Sequence, residues 1–153
     1  MAPDFAALLS QIEGRIAADP ETALQDICDL LHRSVPHHNW VGFYVMNPAS
    51  RTLTLGPFAG APTEHTVIPY GRGICGQVAE SGQTFVVDDV SAEDNYLACS
   101  LATQAEIVLP IFCDGVLVAQ LDIDAHTRAP FTAAEVAFLE AVCRRVAPLF
   151  RLR

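Results

Sequence analysis

Residues 105–124 read AEIVLPIFCDGVLVAQLDID, two apolar, β-branched runs joined by Cys113-Asp114-Gly115. Val, Ile and Leu at this density suit a pleated, half-buried surface, and Asp-Gly between two such runs is the pair that a tight hairpin needs. The stretch predicts two antiparallel strands, 105–112 and 116–123. Alternate side chains of a strand face opposite ways. Ile107 and Leu109 therefore share one face, as do Leu121 and Ile123, while Glu106, Asp122 and Asp124 point to the other. One face asks for a core, and the other for solvent or a polar site.

Working towards the N-terminus, residues 39–46 (NWVGFYVM) alternate in the same way, with Trp40, Gly42 and Tyr44 on one side and Val41, Phe43 and Val45 on the other. Asn47-Pro48 ends this strand as a turn. Residues 51–55 read as its hairpin partner, with further short strands at 65–68 and 84–87. Between these last two, residues 71–82 (GRGICGQVAESG) can form about two helical turns bracketed by glycine. Residues 88–103 carry four carboxylates and little periodicity, a loop long enough to suggest a function. At the N-terminal end, Phe5, Leu8, Leu9, Ile12 and Ile16 mark an amphipathic helix over 4–18. A second helix is predicted from Asp19 as cap and Pro20 as first residue towards Val35-Pro36. At the C-terminal end Thr132 and Glu135 have capping-box spacing, and Val136, Leu139, Val142, Val146 and Phe150 form the stripe of a last helix. Strands in the middle and helices at the ends imply an α+β fold, an antiparallel sheet with the N- and C-terminal helices packed on one face. The helical stripes look wider than one sheet face will cover, which predicts a homodimer through the terminal helices.

The 153 residues show no repeat or linker, so a single domain, 1–153, is expected, long enough to bury roughly 70% of the surface of the unfolded chain. With 51% apolar and 18% charged residues and a mean hydropathy of +0.28, disorder is excluded. Eighteen acidic residues face nine basic ones, all arginine, and the net charge of -9 would repel a phosphate backbone. No nucleic-acid partner is expected. The apolar run at 5–9 is short for a signal peptide and no run reaches the ~20 residues of a membrane span, so the reading is cytoplasmic with no membrane partner.

Five cysteines, at 28, 75, 99, 113 and 143, form an odd set without a CxxC pair, which argues against a disulfide framework or a structural zinc. His37-His38 precede a strand, His32 and His126 are isolated, and none has a metal-ligand spacing, so neither a metal nor another cofactor is expected. Cys28 and Cys143 lie on apolar stripes and read as packing, and Cys113 at the hairpin turn reads as incidental. Cys75 and Cys99 differ, lying in the glycine-rich segment and the loop. If 73–76 opens a helix, its dipole and free amides favour a thiolate at Cys75. Strand-end carboxylates are usually solvated and strand aromatics usually core. The alternative is that Trp40, Tyr44, Glu106, Asp122 and Asp124 line one pocket under the loop and the glycine-rich segment, suited to a small cationic or zwitterionic ligand.

Taken in order, Asn39-Trp40-Val41-Gly42-Phe43-Tyr44, Leu55-Gly56-Pro57-Phe58, Gly71-Arg72-Gly73-Ile74-Cys75-Gly76, Leu97-Ala98-Cys99, Glu106-Ile107-Val108-Leu109-Pro110 and Leu121-Asp122-Ile123-Asp124 resemble the free methionine-R-sulfoxide reductases, single-domain members of the GAF superfamily. The resemblance implies a six-stranded antiparallel sheet with helices behind it and a ligand pocket in front. It implies that a thiolate attacks the sulfur of free methionine sulfoxide and that the enzyme sulfur becomes a sulfenic acid. A second cysteine would then condense with it to a disulfide, reopened by thioredoxin or a similar reductant. By match to the motifs, Cys99 is implied as nucleophile and Cys75 as partner thiol, with the order of attack open and Cys99 preferred because Glu106 follows it closely. Glu106, Asp122 and Asp124 are implied to hold the ammonium group and polarise the sulfoxide, and Trp40 and Tyr44 to box the methyl end. His65 stands where such enzymes carry a third cysteine, and Tyr96, Ser100 and Ala105 also depart from the pattern. A non-catalytic GAF module that binds a small molecule or senses redox state is the alternative.

Overall fold

A computed structural model describes residues 3–97 and 100–151 of the chain. Helix α1 (Phe5–Ala18) begins where the Asp4 carboxylate accepts a hydrogen bond from the Ala7 amide at 3.0 Å, offsetting one of the donors that a helix start leaves unpaired. The start of α2 (Ala23–Ser34) differs from the sequence reading. Asp19 accepts from the Glu21 amide at 3.2 Å, so its side chain closes a local turn over residues 20–22 and the helix starts beyond them.

Six strands follow, β1 (Trp40–Asn47), β2 (Thr52–Ala59), β3 (Val67–Pro69), β4 (Phe85–Val87), β5 (Ala105–Cys113) and β6 (Val116–Ala125). Helix α3 (Gly73–Ser81) comes between β3 and β4, and α4 (Ala133–Val146) follows β6. All neighbours are antiparallel in the order β3-β2-β1-β6-β5-β4. Strand β2 runs four residues further than its apolar pattern suggests. Gly42 pairs with Phe58 and Tyr44 with Leu55, so Gly56 and Pro57 both stand opposite Phe43 in a bulge. A bulge is where a strand tolerates proline, because the extra residue owes the ladder no donor. The β5–β6 turn is the expected tight one, with Asp114 and Gly115 both at positive φ, 53° and 79°. The long loop contains a short 3-10 turn, Val90–Ala92, capped by the Asp89 carboxylate on the Ser91 amide.

The sheet separates two apolar clusters. On one side α1, α2 and α4 cover Val41, Phe43, Ile107, Leu109, Leu121 and Ile123, each worth about 1.5–3 kcal/mol when fully buried. On the other, α3 brings Ile74, Cys75 and Val78 against Trp40, Tyr44 and Val108. The stripes of the terminal helices pack within the chain at their centre, where Phe5 stacks on Phe138 at 4.8 Å and Ile12, Leu139, Val142 and Val146 are fully buried, while Leu9, Ile16, Val136 and Leu149 stay half-buried. Cys28 and Cys143 are buried in this core, and Cys113, read from its turn position as incidental, is buried as well. Among the described residues no helix is long and apolar enough to cross a membrane.

Candidate active site

Residues directly opposite one another across an antiparallel ladder share a face. Trp40 pairs with Asp124, and Asp124 with Glu106 on its other side, so these three form one row. The next row is Gly42, Asp122 and Val108, and the third begins with Tyr44 and Gln120. Gly42 is a close-approach position: a Cβ there would sit 2.7 Å from Cζ3 of Trp40 and 3.0 Å from Cβ of Phe58. Without that Cβ the indole lies across the strand and stacks on Phe58 at 5.6 Å, while its Nε1 donates to the Ala61 carbonyl at 3.0 Å. The Tyr44 hydroxyl donates to the His65 carbonyl at 2.8 Å, tying β1 to the segment before β3.

Helix α3 lies over this face and presents Cys75, its third residue, to the carboxylates. Cys75 Sγ and carboxylate oxygens of Glu106 and Asp122 lie within 4.8 Å of one another, all buried. Gln120 Nε2 donates to the Cys75 carbonyl at 2.8 Å and fixes the helix from below. The Cys75 thiol is hydrogen-bonded to Asp122, which is in turn bonded to Glu106. Burial raises the Asp122 pKa from its ordinary carboxylate value, against the opposing pull of its bonds to Glu106 and Cys75. Burial, and then the charges of Asp122, Glu106 and Asp124, push the Cys75 thiol well up. This reverses the expectation that the α3 dipole favours a thiolate at Cys75, because the sulfur faces desolvated carboxylates and not the open end of the helix. The three groups have the mutual spacing of metal ligands, yet with the thiol protonated they form a hydrogen-bonded acid cluster.

The cluster floors a narrow cavity of about 10 Å³ whose polar lining is Tyr44, His65, Arg72, Cys75, Glu106 and Asp122, with Leu97 from the long loop at its edge. Trp40 and Asp124 are buried on the same sheet face but do not line this cavity, although Asp124 acts on Cys75 through its charge. Cys99, expected as nucleophile, lies outside the described residues. Of the expected site residues, Tyr44, Cys75, Glu106 and Asp122 meet at one cavity.

Two residues beyond that set matter to the geometry. Arg72, exposed at the mouth where α3 begins, is a cation within reach of the cavity. Its glycine-flanked turn matched no phosphate-binding pattern in the sequence and carried no other signal. Asn95 binds the long loop to α3: its Oδ1 accepts from the Gly73 amide at 2.8 Å, and its Nδ2 donates to the Gly71 carbonyl at 2.7 Å. Gln77 Nε2 adds a bond to the Asn95 carbonyl at 2.9 Å. A side-chain amide bridging two glycines twenty-odd residues away in the chain leaves no local pattern to read.

Residues 19–148 match the GAF domain family. The chain is 37% identical over 138 residues to protein YtsP of Bacillus subtilis, covering 89% of this chain and 84% of that one. It is 35% identical over 129 residues to the free methionine-R-sulfoxide reductase of Escherichia coli, covering 84% and 73% respectively. Among solved structures, the free methionine-R-sulfoxide reductase of Neisseria meningitidis in complex with its substrate superposes with a TM-score of 0.89 at 35% identity, covering 98% of this chain and 92% of the other.

Proposed function

The chain belongs to the GAF domain family and, within it, to the free methionine-R-sulfoxide reductases, and from that membership we propose that it reduces free L-methionine-(R)-sulfoxide to methionine with its own cysteine sulfur. The observation that carries the reading is the buried cluster of Cys75, Glu106 and Asp122 at one small cavity.

In this mechanism the thiolate of Cys99 attacks the sulfoxide sulfur while the oxygen, protonated from the carboxylate cluster, leaves as water. Water then displaces methionine from the sulfur–sulfur intermediate and leaves Cys99 as a sulfenic acid. A carboxylic acid that burial holds more readily in its protonated form is what Asp122 beside Glu106 supplies. The raised Cys75 thiol is a poor attacking group, which supports giving attack to Cys99. Cys75 condenses with the sulfenic acid, releasing water and forming a disulfide, and a thioredoxin-like dithiol of the cytoplasm returns both thiols. Asp122 and Glu106 receive the ammonium group, with Asp124 behind them adding its charge, Tyr44 bounds the methyl end, and Arg72 faces the substrate carboxylate.

Incubation with racemic free methionine sulfoxide and a dithiol tests the reading. Loss of the R epimer alone, followed by chiral chromatography, is expected. Both epimers persisting while the R form still binds would leave a binding module in place of a reductase.

A further inference from the structure

Away from the cavity, histidines with no role in the sequence reading converge where the α2–β1 turn meets the first turn of α4. Glu135 is the third residue of α4, and its amide bonds the Thr132 hydroxyl at 3.2 Å as a capping box requires. Its carboxylate does not return to the cap. It turns inward, with Oε1 2.6 Å from His37 Nε2 and Oε2 2.8 Å from His38 Nε2. We propose that His37, His38 and Glu135 form a binding site for one divalent transition-metal ion of the zinc class.

Two imidazole nitrogens and one carboxylate oxygen are a donor set that zinc and its neighbours take up with the fourth position left to water. The three ligand atoms already lie within 4.8 Å of one another. In a tetrahedral site with bonds of about 2.0–2.1 Å the ligand atoms stand about 3.3 Å apart, so these need separate by only about half an ångström. Glu135 and His38 are inaccessible, at 1% and 0% side-chain exposure, whereas His37 is 19% exposed and opens a route from solvent. Among the described residues no arginine pairs with the buried Glu135 carboxylate. The backbone is held in advance: the His38 amide donates to the Val35 carbonyl at 2.9 Å and His32 Nδ1 bonds the His38 carbonyl at 2.9 Å.

One feature limits the affinity. Metal binding moves the His38 proton from Nε2 to Nδ1, and Nδ1 is buried with no partner among the described residues. Outer-shell partners of this kind are typically worth roughly 10–100-fold in affinity, so binding weaker by that factor than at a fully supported site is expected.

Titration of the untagged, full-length protein with cobalt(II), followed by its ligand-field absorption and by competition with a chromophoric chelator, tests the site. One equivalent is expected to bind wild type, with at least a tenfold loss in His37→Asn and in Glu135→Gln and no change in Cys75→Ser. His37 is partly exposed, so His37→Asn decides the matter if Glu135→Gln fails to fold. Equal affinity in wild type and His37→Asn, loss confined to Cys75→Ser, or no binding at millimolar cobalt would each overturn the proposal.

Discussion

Asp122 is buried beneath Cys75 with its pKa raised, and an acid whose pKa rises on folding favours the folded state in its protonated form. Its contribution is complete below the ordinary carboxylate range and is lost as pH climbs through the raised folded value. Asp122→Asn removes that dependence. Thermal unfolding across an acid-to-neutral series should show the variant gaining on wild type as pH rises and then holding a constant lead; a difference independent of pH would contradict the assignment. The cysteines divide in the same physical terms. Cys75, desolvated and facing negative charge, should resist iodoacetamide at neutral pH until the protein is unfolded, as read by peptide mass spectrometry. Cys99→Ser should abolish turnover. Cys28→Ser, whose sulfur lies 3.5 Å from the Pro57 carbonyl, and Cys143→Ser should keep turnover and lower stability by about 1–3 kcal/mol, measured from denaturant midpoints.

At the scale of elements, strand β1 depends on Gly42 to let the Trp40 ring cross it. Gly42→Ala forces the indole off Phe58, with an expected loss of about 1–3 kcal/mol from overpacking. Trp40 is the single tryptophan, so its fluorescence reports the displacement directly, and an unchanged emission spectrum would count against this packing. Asn95→Ala severs the two bonds its side chain makes between the long loop and α3, and should raise KM several-fold with a stability change of about 1 kcal/mol. These elements also show what could be read from sequence. The β5–β6 hairpin and the faces of Trp40, Tyr44, Glu106, Asp122 and Asp124 were legible because a strand's period of two fixes orientation once its limits are known. The start of α2 was not, because Asp19 as an N-cap and Asp19 as a turn residue look alike until the Glu21 amide is placed. Glu135 satisfied a local helix motif through its amide while its carboxylate went to two histidines nearly a hundred positions away. The thiol state of Cys75 was misread because a helix dipole is a local property and burial under carboxylates is a tertiary one.

For the whole molecule, what matters is where the site's groups sit in the sheet. Glu106, Asp122, Asp124 and Tyr44 belong to β5, β6 and β1, each paired with a strand on either side, whereas β3 and β4 are three-residue edges. Cys75 and the loop leading to Cys99 lie outside the sheet, held by the apolar side of α3 and by isolated bonds such as Gln120 to the Cys75 carbonyl and the Val90 amide to the Gln104 carbonyl, and joined to each other by Asn95. The acid groups are therefore fixed to the part of the chain that opens last, and the sulfur chemistry to the part that opens first. Amide hydrogen exchange should register this as slow exchange in β1, β5 and β6 that is indifferent to ligand, and faster exchange in α3 and residues 88–97 that slows when methionine sulfoxide is added. A ligand would then be gripped by the periphery closing onto an immobile floor, and methionine would depart by the periphery relaxing, so the lifetime of that relaxation sets a ceiling on turnover however fast the sulfur chemistry becomes.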